Sequence, residues 1–353
     1  MNKSSLFLQH LGLRYPIIQA PMAGISTPEL AATVSEAGGL GSLGLGACNV
    51  DQARNLITQT QKLTNKPFSV NVFCHKKPKR NIHVEKEWID YFSAQFDQFQ
   101  ASAPQQLNEV YLSFLDNPQM LALFLELKPK VVSFHFNIPK QSIINQLKAH
   151  GIYTMATATN LAEAKIIEHA GIDGIVAQGI EAGGHRGMFD VELKDEQINT
   201  HHLVNLLIKQ TNLPIIAAGG IMDGFAVNAY LKQGAVAAQL GTAFILCPES
   251  AANADYRARL RNAKGIDTAL TSAISGRPAR GIINSFIRMG QAADRPVIPD
   301  YPITYDLGKQ LNAAANQFGR DDFAAHWAGT SVDKIREMPA QDLMATLVKE
   351  MGA

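Results

Sequence analysis

The sequence predicts an α/β protein, a closed (β/α)8 TIM barrel with an additional, mostly helical lid or substrate region. Three observations predict it. Eight short apolar runs bounded by glycine or proline alternate with longer helical patterns along the chain. Strands separated by helices pair in parallel through right-handed crossovers. Eight is also the number of strands that closes into a barrel filled by its own side chains. An open doubly wound sheet is the alternative, but no nucleotide fingerprint sits where such a sheet would need it.

The first strand covers residues 16–22 and runs into a loop. A helix follows over 27–37, with Thr27 as N-cap, Pro28 at the first helical position and Gly38 as the stop. Strands two to six cover 40–45, 68–74, 131–136, 153–158 and 174–180, and strands seven and eight cover 214–219 and 235–241. Helices at 160–169 and 223–233 separate later strands. The barrel therefore takes residues 1–75 and 128–247. An insertion at 76–127, containing Trp88, Tyr91, Phe92, Phe96 and Phe99, and the mostly helical segment 248–353 exceed its needs. Long connections at the C-terminal ends of barrel strands build lids or substrate domains.

Bulk properties exclude several classes. The 353 residues are 46% hydrophobic and 18% charged, with a formal net charge of +1, so no basic excess favours nucleic acid. Lys76, Lys77, Lys79 and Arg80 make a short solvated loop. Cys48, Cys74 and Cys247 are far apart, which argues against a disulfide framework or a cysteine metal site. The apolar run Leu6–Leu8 is too short for a signal peptide, and no stretch approaches the ~18 apolar residues of a membrane span. A cytoplasmic protein is expected.

Four motifs bear on chemistry. Gly39, Gly41 and Gly44 match G-x-G-x-x-G, but the match follows a helix and lies within a strand, the wrong place for a dinucleotide fingerprint. Gly219-Gly220 and Gly241-Thr242 end strands seven and eight, where barrels of this kind hold phosphate on backbone N–H groups. Tight βα turns alone would also account for these glycines. The loop after strand six, Gln178 to Gly187, carries His185 at the barrel mouth, able to hydrogen-bond, offer positive charge or take a proton, although a surface loop histidine is the plainer reading of the residues alone. Strand alternation points His135 into the barrel near its top, as a hydrogen-bonded core residue or a site residue. His10, His75, His83, His150, His169, His201, His202 and His326 read as surface residues. Finally, Tyr301, Tyr305 and Lys309 recur every fourth residue, a stripe opposite Leu307, Leu311, Ala314 and Phe318. It faces water or a second polar cavity, and amphipathicity alone favours water.

At these residues the sequence resembles the nitronate monooxygenases, formerly 2-nitropropane dioxygenases, and among them the bacterial class I group. The resemblance spans nearly the whole chain: Pro16 to Gly24, Asn71, Ala182 to Gly187, Ala217 to Ile221, Gln239 to Phe244, and the Tyr301/Tyr305/Lys309 spacing. The glycine-rich motifs are shared with related FMN barrels, and the Tyr/Lys stripe is the most class-specific. The resemblance implies one non-covalent FMN per chain, lined by Met22, Asn71, Gln178, Gly183, Gly219, Gly220, Gly241 and Thr242. His185 corresponds to the family's active-site histidine, and His135, Tyr111, Tyr301, Tyr305 and Lys309 to its substrate pocket, which overturns the solvent reading. Arg277 and Arg280 also look family-like and receive no role.

The implied reaction is FMN-dependent oxidation of alkyl nitronates by O2 to a carbonyl compound plus nitrite, through a flavosemiquinone. Propionate 3-nitronate fits best if Lys309 and the tyrosines form a second anion site. The implied partners are a small-molecule nitronate and O2, with neither nucleic acid nor membrane, and the chain is expected as a monomer or homodimer. The alternatives are an NAD(P)H-dependent FMN reductase of quinones or enoyl thioesters on the same fold, and a phosphate-ligand binding protein without turnover.

Overall fold

The computed structural model describes residues 3–262 and 264–352. Eight parallel strands form one sheet: β1 (Ile17–Gln19), β2 (Gly41–Gly44), β3 (Phe68–Phe73), β4 (Val131–His135), β5 (Tyr153–Ala158), β6 (Gly174–Gln178), β7 (Ile215–Ala218) and β8 (Ala237–Leu240). The order runs from β1 through β8, β7, β6, β5, β4 and β3 to β2. A parallel bridge between Ile18 and Leu40 then joins β1 to β2 and closes the ring. β1 is shorter than expected because it lies between Pro16 and Pro21, neither of which can donate to a ladder.

Helix starts are set by local chemistry. Thr27 caps helix Pro28–Glu36 by accepting the Leu30 N–H at 3.0 Å, with Pro28 in the first turn. Asn160 and Asp223 cap Leu161–His169 and Gly224–Gln233 in the same way. Gly41 serves packing: a Cβ there would lie 1.9 Å from the Ala31 carbonyl, so the strand and the preceding helix touch backbone to backbone.

Side chains sort by strand alternation. Ile18, Val131, Met155, Val176 and Ile216 fill the barrel with Phe7 and Leu11, so helix Lys3–Leu11 plugs its lower end. Val70, Val132, Phe134, Ile175 and Ile215 face outward into the helix-covered layer.

The segments expected outside the barrel divide in two. Helices Pro118–Leu127 and Ala340–Met351 belong to the outer ring: Leu123, Phe124, Leu343 and Leu347 sit in the barrel's own hydrophobic cluster. The rest forms a cap with a separate core, in which Trp88 and Phe96 of helices Ile82–Tyr91 and Ser93–Gln98, with Phe92 at the junction between them, meet Phe286, Ile303, Leu307 and Leu311. Phe92 stacks on Phe286 at 4.6 Å. The C-terminal half of this cap is mostly helical, as expected, but also carries a small sheet that the sequence reading did not include. Strands Thr268–Thr271 and Ala279–Ile282 pair antiparallel, and the second also pairs with Gly184–His185 of the loop after β6. Because one partner is a two-residue piece of a remote loop, no local period announces this sheet.

Helix Ala340–Met351 lies so close to helix Gly224–Gln233 that a Cβ on Gly224 would fall 2.0 Å from the Leu347 carbonyl oxygen. Gly224→Ala is therefore expected to destabilise the protein by about 1–3 kcal/mol. Urea denaturation checks this: the midpoint should fall at unchanged slope, and an unchanged midpoint would mean that the two helices part freely.

Candidate active site

A cavity of about 580 Å³ opens at the C-terminal ends of the barrel strands. Met22, Asn71, Tyr111, His135, Gln178, Gly183, His185, Gly219, Gly220, Gly241, Thr242, Tyr301, Tyr305 and Lys309 all line it.

One end is backbone-rich. Gly219 and Gly220 follow β7 with φ of 122° and 69°, conformations that favour glycine. Gly241 and Thr242 follow β8, and the Thr242 hydroxyl accepts the Gly329 N–H at 3.0 Å. Gly329 and Ser331 add a third wall from the C-terminal segment, which the sequence reading missed. Gly183 and Gly329 meet backbone to backbone: a Cβ on Gly183 would come 2.6 Å from the Ala328 carbonyl carbon.

The middle is organised by the loop after β6. Arg186 is 0% exposed and pairs with Asp195 at 2.9 Å. Its remaining guanidinium nitrogen donates to the carbonyls of Gln178 and Gly179, each at 3.0 Å, and to Gln178 Oε1 at 3.3 Å. Oε1 also accepts the Gly187 N–H, so the amide's other end is fixed, and Gln178 Nε2 donates to the His185 carbonyl at 2.9 Å. His135 Nε2 lies 3.1 Å from the same carbonyl. A carbonyl only accepts, so Nε2 carries the proton and Nδ1 accepts from the Thr157 hydroxyl at 3.0 Å. Both nitrogens of His135 are thereby engaged by protein. Asn71 uses its Nδ2 on Ser133, at 2.9 Å to the hydroxyl and 3.1 Å to the carbonyl.

His185 is held by its ring as well. Nε2 lies 2.9 Å from Ser275 Oγ, and Phe136, Tyr301 and Trp327 surround the imidazole with centroids at 5.5, 5.7 and 5.3 Å. Burial pushes its pKa down to about 3, helped by the nearby His135 and Arg277, and burial likewise takes His135 to about 4. Both are neutral at pH 7.

The far end belongs to the cap. Lys309 Nζ sits 4.5 Å over the Tyr111 ring and 5.8 Å from the Tyr305 ring, and burial lowers its pKa. Helix Ile303–Asn316 starts after Tyr301, so that residue lines the cavity from the preceding turn and not from the helical stripe. Amphipathicity alone misjudged this helix because it is covered on both sides: Leu307 and Leu311 enter the cap core, while Tyr305 and Lys309 face the cavity. Two histidines read as surface residues are also inside. His326 lines the cavity, stacked on Tyr256 at 4.5 Å, and His75 packs edge-on to Tyr301 at 4.9 Å. Neither neighbour is close in sequence, so no local pattern marks them.

A nitronate monooxygenase family profile matches residues 4–350. A nitronate monooxygenase of Paraburkholderia phytofirmans is 51% identical over 341 residues, 97% of this chain and 93% of that protein. One from Pseudomonas aeruginosa is 48% identical over 98% of both chains. Among solved structures, the nitroalkane oxidase of Streptomyces ansochromogenes superposes with a TM-score of 0.88 at 36% identity, covering 98% of each chain.

The buried imidazoles fix the sign of an acid response. His75, His135 and His326 have pKa values near 4 and His185 near 3, each lowered chiefly by burial. Between these values and the ordinary 6.5 the unfolded chain binds protons that the folded one refuses, so their contribution is full above pH 6.5 and is lost toward pH 4. Melting temperatures should hold from pH 7.5 to about 6.5 and fall below that toward pH 5, and His326→Gln should flatten the fall; a level profile down to pH 5 in the parent protein would contradict the assignment.

Proposed function

The chain belongs to the nitronate monooxygenase family of oxidoreductases, and from that premise we propose that it binds FMN and uses O2 to convert alkyl nitronates into a carbonyl compound and nitrite. The observation that carries this reading is one cavity with two unlike ends, a pair of glycine turns at one and Lys309 with two phenols at the other, and His185 between them. The residues present fit the cofactor. The cavity volume lies within the range of cofactor sites, about 300–1,000 Å³. Gly219, Gly220, Gly241 and Thr242 offer backbone N–H groups and a hydroxyl suited to a phosphate. Asn71 Oδ1 and the second N–H of Gln178 Nε2 remain for a ring system, and Met22 offers an apolar surface. When bound, the flavin supplies the electron-transfer chemistry between substrate and oxygen.

The protein's own part is binding and orientation. A nitronate is already a carbanion equivalent, so it needs no strong base. It lies beside His185, closed off from water by Phe136, Tyr301 and Trp327. Lys309, with the Tyr111 and Tyr305 phenols, receives a second negative charge, which favours a nitronate that also bears a carboxylate, such as propionate 3-nitronate. The division of labour broadly follows the chain: segments 1–75 and 128–247 supply most of the cofactor end, joined there by Gly329 and Ser331, and the cap supplies Tyr111, Tyr301, Tyr305 and Lys309 at the substrate end.

Four measurements test the proposal. The purified protein should carry a yellow chromophore that releases FMN on denaturation and should form nitrite from propionate 3-nitronate in air. Rapid anaerobic bleaching by NADH without nitrite formation would instead indicate a reductase. Lys309→Ala should raise KM for propionate 3-nitronate about 10–100-fold, the loss of one charge-assisted contact, while leaving ethyl nitronate nearly unaffected. Equal effects on the two substrates would remove Lys309 from carboxylate binding. His185→Asn should lower kcat/KM with the flavin retained.

A further inference from the structure

The segment Ser275 to Gly281 has no part in the reaction as derived so far, yet it forms the turn directly behind His185. Strand Ala279–Ile282 pairs with the loop after β6 so that Ala279 stands opposite His185. That register brings the preceding turn against the imidazole. We propose that Ser275 is a positioning residue that fixes the tautomer of His185, taking its Nε2–H and leaving Nδ1 as a lone pair open to the cavity. The inference rests on His185 facing the reacting molecule, as proposed above.

The argument is a count of donors. Ser275 is 0% exposed, so its hydroxyl has only protein partners. A hydroxyl has one proton and two lone pairs. The proton goes to the Arg277 carbonyl at 3.0 Å, and one lone pair receives the Arg277 N–H at 3.3 Å. The other lone pair faces His185 Nε2 at 2.9 Å, and only an Nε2–H can meet it there. Among the described residues the His185 ring hydrogen-bonds only through Nε2, so Nδ1 is left without a protein partner, and His185 lines the cavity. So held, the ring presents a hydrogen-bond acceptor, and no donor, to a molecule in the cavity.

The rest of the turn keeps this arrangement in place. Gly276 has φ of 90°, and a Cβ there would lie 2.4 Å from the Tyr301 nitrogen, so the turn is wedged against the tyrosine that covers the imidazole. Arg277 follows, its guanidinium 4.3 Å over the Phe136 ring and donating to the Met188 carbonyl. A fixed positive charge behind Phe136 opposes a second proton on His185.

The test reads the tautomer directly. In the holoenzyme labelled with 15N-histidine, two-bond 1H–15N spectra at pH 7.5 should show His185, assigned by its loss in His185→Asn, protonated at Nε2 alone. Ser275→Ala should give mixed or Nδ1–H signals and lower kcat by about tenfold or more at little-changed KM. Flavin content and melting temperature should be retained, and Ser275→Thr should restore both spectrum and rate. A wild-type His185 protonated at Nδ1, or a Ser275→Ala protein with tautomer and kcat unchanged, would overturn the assignment. If Ser275→Ala does not fold, the wild-type spectrum decides alone. A protein with the stated tautomer but no nitronate turnover would refute the proposed activity and leave the role of Ser275 standing.

Discussion

The barrel mouth depends on one buried guanidinium. Arg186 has no contact with water, and a charge in that position is tolerated only when it is paired and its donors are satisfied. Asp195 takes two of them, and the carbonyls of Gln178 and Gly179 take others. The loop after β6 is thereby stitched both to its own start and to its far end. The effect passes inward: with Oε1 of Gln178 occupied, its Nε2 must turn to the His185 carbonyl, where His135 also donates. A histidine on a glycine-rich loop, flanked by Gly184 and Gly187 within a few residues, is as firmly placed as one on a strand. Mobility that Gly183 and Gly184 would confer is removed by partners outside the loop.

The cavity joins two kinds of recognition. The barrel contributes mostly backbone groups, at strand ends whose spacing is set by the ladder. The cap contributes long side chains, aromatic and cationic, whose positions depend on a separate hydrophobic core. The barrel end is thus rigid and general, suited to a constant group, whereas the cap end can vary without disturbing the strands.

Much of this was legible in the chain. Caps such as Thr27, Asn160 and Asp223 act within three residues of themselves, and glycine turns after strands seven and eight take their meaning from position in a repeating architecture. His135 was placed correctly by alternation alone, because Val132 and Phe134 need the helix-covered side. What stayed hidden needed partners far along the chain. Ser275 meets His185 across 90 residues, and His326 stacks on Tyr256. The small sheet depends on Gly184–His185, and Lys309 reads as a solvent residue until the second face of its helix is known to be covered. Family resemblance supplied that last placement; periodicity did not.

The helix Ala340–Met351 has a consequence for how the molecule comes into being. It completes a ring begun by Pro28–Glu36, some 300 residues earlier, and packs there beside Gly224–Gln233. During synthesis the nascent chain can lay down strands and most helices in turn, but a gap in the outer layer stays open, with Ala31, Val34 and Val227 uncovered, until that helix leaves the ribosome. The half-built barrel therefore carries an apolar slot that chaperones, or another emerging copy, can recognise before its own chain fills it.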